Sequence, residues 1–276
     1  MKQVRTCAVI AITAVWAVAA VWGQSQPKAK PRAAATSATM GVEVKVTRIQ
    51  ETRYRDFGPD ATGDMSSGTQ VSLGVTGGLA GKAHQFGKLK IEKAVDDKGT
   101  RLTREESPFA EDMTKGFVST QRSFAPTIAN GFGFDIPLGS AKRGASNIAQ
   151  LKGSFLILSG TKGSVVIPDV AALAGKEATN PELKAAHVAI KIESVEGNKV
   201  TYTMSGSVEV VLEVALVGAD GQTMDTSNGS SSTDGGPTFY TMEASALPAN
   251  AGLKVALVTD AQTTTIPFDL KNIPLP

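Results

Sequence analysis

Apolar side chains recur at every second position along most of this chain, and that rhythm limits what it can fold into. Val188, Ile190 and Ile192 face one way, Glu196-Gly197-Asn198 interrupts, and Val200, Tyr202 and Met204 resume the alternation. Successive side chains on an extended strand point to opposite faces, so this pattern describes strands with one buried and one wet face, here joined as a hairpin. The parity continues through Val208, Val210, Leu212, Val214 and Leu216. A single strand of that length would be more than twice the usual ~20 Å, so the chain is expected to bend or change sheets at Ser205-Gly206-Ser207.

The same alternation marks Val42, Val44 and Val46, and then Leu89 and Ile91, where the run stops at Asp96-Asp97-Lys98-Gly99. Aspartate and glycine tolerate the positive φ of a tight reversal. Leu253 to Val258 and Thr263 to Leu270 add two further strands. Helical signals are short: Ser107-Pro108-Phe109-Ala110-Glu111, and Asp169 to Leu173 closing on Gly175. Each supports a turn or two and no helical layer.

The N-terminus has a different character. Lys2 and Arg5 precede an apolar run from Cys7 to Trp22, and Gly23-Gln24 opens a Pro/Lys/Ala-rich stretch to Met40. A basic start, an apolar middle of this length and a small-residue exit read as a secretory signal peptide over 1–23, followed by a disordered linker over 24–40. The protein is therefore expected outside the cytoplasm, in the periplasm or at the cell surface, with no transmembrane segment once the leader is cleaved. An uncleaved leader would leave the same body tethered.

Processing would remove the only cysteine and both tryptophans, so no disulfide, thiolate nucleophile or cysteine metal site remains. The body after position 40, without Lys2, Arg5 and the tail residues Lys28, Lys30 and Arg32, carries 23 basic against 26 acidic residues. Nucleic-acid binding calls for a concentrated basic surface, and this balance argues against it.

The body carries a faint internal echo. Asp96-Asp97-Lys98-Gly99 is followed by Phe134-Asp135-Ile136-Pro137, and Asp220-Gly221 by Phe268-Asp269-Leu270 and Ile273-Pro274. A duplication would divide the body into 41–139 and 140–276, with the polar stretch Gly139 to Ser146 as linker. The expected fold class is all-β. The strand rhythm, and that alone, resembles tandem immunoglobulin-like β-sandwich domains of exported bacterial proteins. The resemblance implies no particular site or activity.

Few residues invite chemistry. His84 sits in the glycine-flanked stretch Gly81 to Gly87, read as a mobile loop and a candidate for ligand contact; His187 opens a strand. Ser159-Gly160-Thr161-Lys162 matches Ser-x-x-Lys spacing but lies between Phe155–Leu158 and Val165–Ile167, which resemble the arms of a hairpin. Gly77-Gly78-Leu79-Ala80-Gly81 lacks the lysine and helix of a phosphate loop.

Calcium is the one cofactor with candidate ligands. Asp56, Asp60 and Asp64 form one group, and Asp220, Asp225, Asn228 and Asp234 another, although neither has the spacing of a calcium loop. The second group lies in Gly218 to Pro237, a Gly/Ser-rich stretch read as a loop, disordered or used for binding, with Asn228-Gly229-Ser230 as a glycosylation sequon.

The function expected from these features is a non-catalytic exported protein that contacts an envelope protein or surface component. A carbohydrate-binding module is the alternative, with Tyr54, Tyr202 and Tyr240 as the tyrosines able to stack on a sugar; Tyr240 is, with His84, a binding-loop candidate. A carboxylate hydrolase using Glu105-Glu106 or Glu111-Asp112 is a further alternative, weakened because adjacent strand residues face apart.

Overall fold

The alternating segments form three antiparallel sheets. The computed structural model describes residues 36–39, 41–53, 67–103, 116–120, 128–232 and 236–276. The signal-peptide reading, Tyr54, Asp56, Asp60, Asp64, Glu105, Glu106, Glu111, Asp112, Asp234 and the turn expected at Ser107 lie outside them.

In chain order the strands are β1 (Thr36–Thr39), β2 (Val42–Thr52), β3 (Gly68–Gly77), β4 (Ala83–Asp96), β5 (Phe117–Ser119), β6 (Gly131–Leu138) and β7 (Asn147–Ile167). There follow β8 (Lys176–Glu177), helix α1 (Pro181–Ala185), β9 (Val188–Glu196), β10 (Lys199–Gly206), β11 (Val211–Val217), β12 (Thr226–Ser232), β13 (Thr238–Ala244) and β14 (Gly252–Pro274). The sheets have orders β1-β2-β3-β6, β12-β13-β10-β9-β8 and β11-β14-β7-β4-β5. No helix among the described residues is long and apolar enough to cross a membrane.

Burial follows the alternation. Val42 and Val44 of β2, Val71, Leu73 and Val75 of β3, and Phe132, Phe134 and Ile136 of β6 meet Phe86, Ile148, Leu151, Phe155, Phe268 and Leu270 from the third sheet. Phe86 stacks on Phe132 and Phe134 at centroid distances of 4.9 and 5.0 Å, and Phe155 meets Phe134 edge-on at 5.2 Å. A second cluster joins Val188, Ile190 and Ile192 of β9, Val200 and Tyr202 of β10 and Met242 of β13 to Val165, Ile167, Leu216, Leu253, Val255 and Leu257.

Two strands run through both clusters, β7 by way of Ile148–Ile157 and then Leu158–Ile167, and β14 by way of Leu253–Val258 and then Ile266–Ile273. They pair with each other from Leu253↔Ile167 to Pro274↔Asn147. The two strands expected at 253–258 and 263–270 are therefore one strand. The hairpin expected at Ser159–Lys162 is likewise the middle of β7, where its pairing with β14 shifts register, and Ser159 and Lys162, three apart on a strand, face opposite sides. A Cβ on Gly160 would lie 2.6 Å from the Thr259 carbonyl, so only glycine allows β14 this close at the crossing.

The division expected at residue 139 does not match this grouping of the core. Thr36–Pro276 belong to one compact unit, and Gly139 to Ser146 is tied down at several points. The Asp96 carboxylate accepts from Lys142 N at 2.8 Å, that of Asp97 accepts from Ser146 Oγ at 2.6 Å, and Gly139 N donates to Leu102 O at 2.7 Å. Thr36–Thr39, read as the end of a disordered linker, pair in register with β2 as Thr36↔Lys45 to Thr39↔Val42.

The echo read from the sequence has a structural counterpart. In the first half β2, β3 and β6 lie side by side in the order β9, β10 and β13 take in the second, and a 3₁₀ turn links β3 to β4 and β10 to β11. The Asp-Gly turns correspond bond for bond: Leu102 N→Ala94 O, Asp96 N→Thr100 O and Gly99 N→Asp96 O match Met224 N→Leu216 O, Gly218 N→Gln222 O and Gly221 N→Gly218 O. The Phe-Asp part of the echo does not correspond. Phe134-Asp135 is in β6 of an outer sheet, and Phe268-Asp269 in β14 of the shared one.

Candidate functional site

The second half holds a groove of roughly 200 Å³ between β11 and the β12–β13 edge. Its construction begins at Ser205-Gly206-Ser207, where the chain leaves one sheet for the other as the sequence anticipates. Gly206 has φ +82°, and a Cβ there would lie 2.1 Å from the His187 carbonyl, which accepts from Ser207 N at 2.9 Å. One 3₁₀ turn later β11 starts in the shared sheet, displaced from β10 by the thickness of the core.

Tyr202 and Met204 of β10 and Tyr240 and Met242 of β13 line the groove from the outer sheet, and Val211, Leu212, Glu213 and Val214 from β11. Tyr202 stands directly opposite Tyr240 in register, and their rings stack with centroids 5.4 Å apart and planes at 21°. Tyr202 is buried and Tyr240 half-buried. Burial, followed by the neighbouring Tyr240 hydroxyl, pushes the Tyr202 phenol well above the ordinary tyrosine range, so it stays neutral and apolar in character at physiological pH.

β12 closes the other side. Its sequence Thr-Ser-Asn-Gly-Ser-Ser-Ser lies in the stretch read as a loop, and the backbone instead pairs as an edge strand from Thr226↔Ala244 to Ser232↔Thr238. Strand propensity is overridden here by the partner that β13 offers. Asn228 and Gly229 border the groove, and Thr226 Oγ1 donates to Asn228 Oδ1 at 3.0 Å.

The remaining candidates are scattered. His84 lies in β4, not in a loop, with Nε2 3.0 Å from the Gly160 carbonyl, and does not line the groove. Asp220 Oδ1 accepts from Gln222 N at 3.0 Å and so serves its own turn, and Asp225 is exposed between that turn and β12. Among the described residues no three His, Cys, Asp or Glu side chains are grouped to hold a metal ion.

Of the residues named from sequence, the structure thus brings Tyr202, Tyr240 and Asn228 to one place. Glu213 and Met204 were missed as groove residues because nothing local says which sheet edge stays open. Helix α1 was missed although Asn180 Oδ1 caps Glu182 N and Leu183 N at 2.9 and 3.2 Å with proline following, a signal present in the sequence.

No family model, curated protein or solved structure matches the chain.

Proposed function

We propose that this is an exported, non-catalytic β-sandwich protein of the cell envelope, its halves immunoglobulin-like in strand rhythm, that binds a protein or surface component through the groove between β11 and β12. The observation that carries the reading is the composition of that groove. A stacked tyrosine pair, Met204, Met242 and Leu212 meet under a rim with Glu213 and Asn228. Partly buried aromatic and methionine side chains with a polar rim are what protein-binding patches are made of.

The size supports a polypeptide ligand. Sites for whole small molecules run from about 300 Å³ upward, whereas a groove of roughly 200 Å³ suits individual side chains. The aromatic supply argues the same way against the carbohydrate reading. A sugar platform needs open ring faces, and of the two groove tyrosines Tyr202 is buried.

The test is photo-crosslinking from a benzophenone residue placed at Leu212, with one at the exposed Val166 as control, in the native envelope. A discrete adduct from position 212 that Tyr240→Ala abolishes is the expected result. Equal labelling from both positions, or an adduct insensitive to Tyr240→Ala, overturns the reading. A glycan array with signal lost in Tyr240→Ala would instead establish the carbohydrate alternative.

A further inference from the structure

Comparison of the two halves shows where the second differs from the first. Between β4 and β6 in the chain lies β5, which pairs with β4 through Gln85↔Ser119, Phe86↔Val118 and Gly87↔Phe117. It places Val118 against the first core and Phe117 against the second. Between β11 and β13, the equivalent strands, lies β12, which pairs with β13 instead. The second half therefore widens its outer sheet and adds nothing to the shared one.

β11 is left as an edge of the shared sheet. Its last residues are closed by the turn, through Met224 N→Leu216 O and the Val217↔Thr223 bridge, and at its start the buried Gln85 donates to Val211 O at 2.9 Å. From Leu212 to Ala215 no strand among the described residues lies against its outer side. That interval borders the groove, where Met204, Leu212, Val214 and Tyr240 are all only partly buried. The outer sheet overhangs at this point as β13 and β12, and the layer beneath ends at β11.

We infer that the outer edge of β11 at Leu212–Ala215 binds an extended segment of a partner polypeptide by strand addition, completing the shared sheet beneath β12 and β13. This rests on the binding reading above and specifies its ligand. Backbone hydrogen bonds to β11 hold the segment, and every second side chain enters the groove against Tyr240, Met204 and Leu212. Those side chains are apolar. Glu213 is the single charged residue bordering the groove among the described residues; between Leu212 and Val214 on the strand its exposed side chain takes the opposite face, so the segment carries a lysine or arginine on that face opposite it.

The experiment uses the full chain and a fluorescent peptide that alternates valine with threonine and carries one central lysine. Saturable binding below millimolar peptide is expected. N-methylation at alternate peptide bonds removes the strand-pairing donors without altering side chains, and weakens binding about tenfold, the equivalent of one or two backbone hydrogen bonds. Replacing the peptide's lysine by glutamate weakens binding several-fold, and Glu213→Lys recovers it.

A methylated peptide that binds as well as the parent overturns strand addition while the groove reading survives, provided Tyr240→Ala still abolishes binding. Absence of saturable binding by the parent peptide overturns the strand-addition assignment; absence of a Tyr240-dependent adduct at position 212 as well overturns the groove reading with it. A dimer of the isolated chain that the peptide dissociates assigns the edge to a second copy and overturns the partner.

Discussion

Replacing Asp96 removes one acceptor from three backbone donors at once. The residue is 2% exposed; its Oδ1 accepts from Lys98 N at 2.9 Å and Thr100 N at 2.7 Å, and its Oδ2 from Lys142 N at 2.8 Å. The first two bonds shape the turn after β4, and the third fastens the segment after β6 to it. Hydrogen bonds to a charged acceptor contribute about 1.5–3 kcal/mol each, and donors that regain water on deletion recover part of that. Lys98 and Lys142 are exposed, so Asp96→Ala should cost about 3 kcal/mol in total.

Asp96→Asn keeps an oxygen for Lys98 and Thr100 but sets an amide donor against Lys142 N, for a cost of about 1.5 kcal/mol. In a body of this size these losses lower Tm by roughly 6–12 °C and 3–6 °C respectively. The pH dependence separates this account from a simple packing defect. Burial raises the Asp96 carboxyl, and the backbone bonds from Lys142, Thr100 and Lys98 outweigh it and hold it below the ordinary aspartate range. A lowered folded value means stability that is present above about pH 4 and lost as pH falls through that value. Urea unfolding followed by circular dichroism should therefore show the gap between wild type and Asp96→Asn narrowing in acid. An asparagine variant as stable as wild type at neutral pH, or a gap unchanged down to about pH 2, would refute the reasoning.

Because β7 and β14 enter both cores, Phe155→Ala and Leu253→Ala, at costs of about 3–5 and 2–5 kcal/mol, should lower one common unfolding transition; two independent calorimetric transitions would show separable domains. Gly206→Ala places a Cβ 2.1 Å from the His187 carbonyl at φ +82° and should destabilise by about 2 kcal/mol or more, read as a lowered urea midpoint. In alkaline titration by absorbance, Tyr202 should ionise only on unfolding. Its raised value contributes stability that is intact below about pH 10 and lost as pH climbs further, and Tyr202→Phe should flatten that loss.

Much of the fold is legible along the chain, and particular residues show why. Val188, Ile190 and Ile192 point to one face in any strand they form, and Glu196-Gly197-Asn198 reverses the chain within its own few residues. The Asp-Gly turns are equally local, since Asp96 and Asp220 bond amides two positions on. Ser159–Lys162 misled because a polar, glycine-containing tetrad between apolar runs describes a hairpin turn and a strand crossing equally well. The Thr226–Ser232 segment misled because its side chains carry no strand signal. Tyr240 and Asn228 were found as residues without being found as neighbours.

The amino-acid order by itself determined the all-β class, the parity of the buried faces, and the turn positions where the chain reverses or leaves a sheet, because each depends on side chains within a few positions of one another. Only the tertiary structure decided that β7 and β14 serve two cores, that β5 pairs with β4 while β12 pairs with β13, and that β11 is an edge of the shared sheet among the described residues. Those are choices of partner between strands far apart in sequence. They are settled by which distant faces bury the most apolar surface together, a competition that no local pattern encodes.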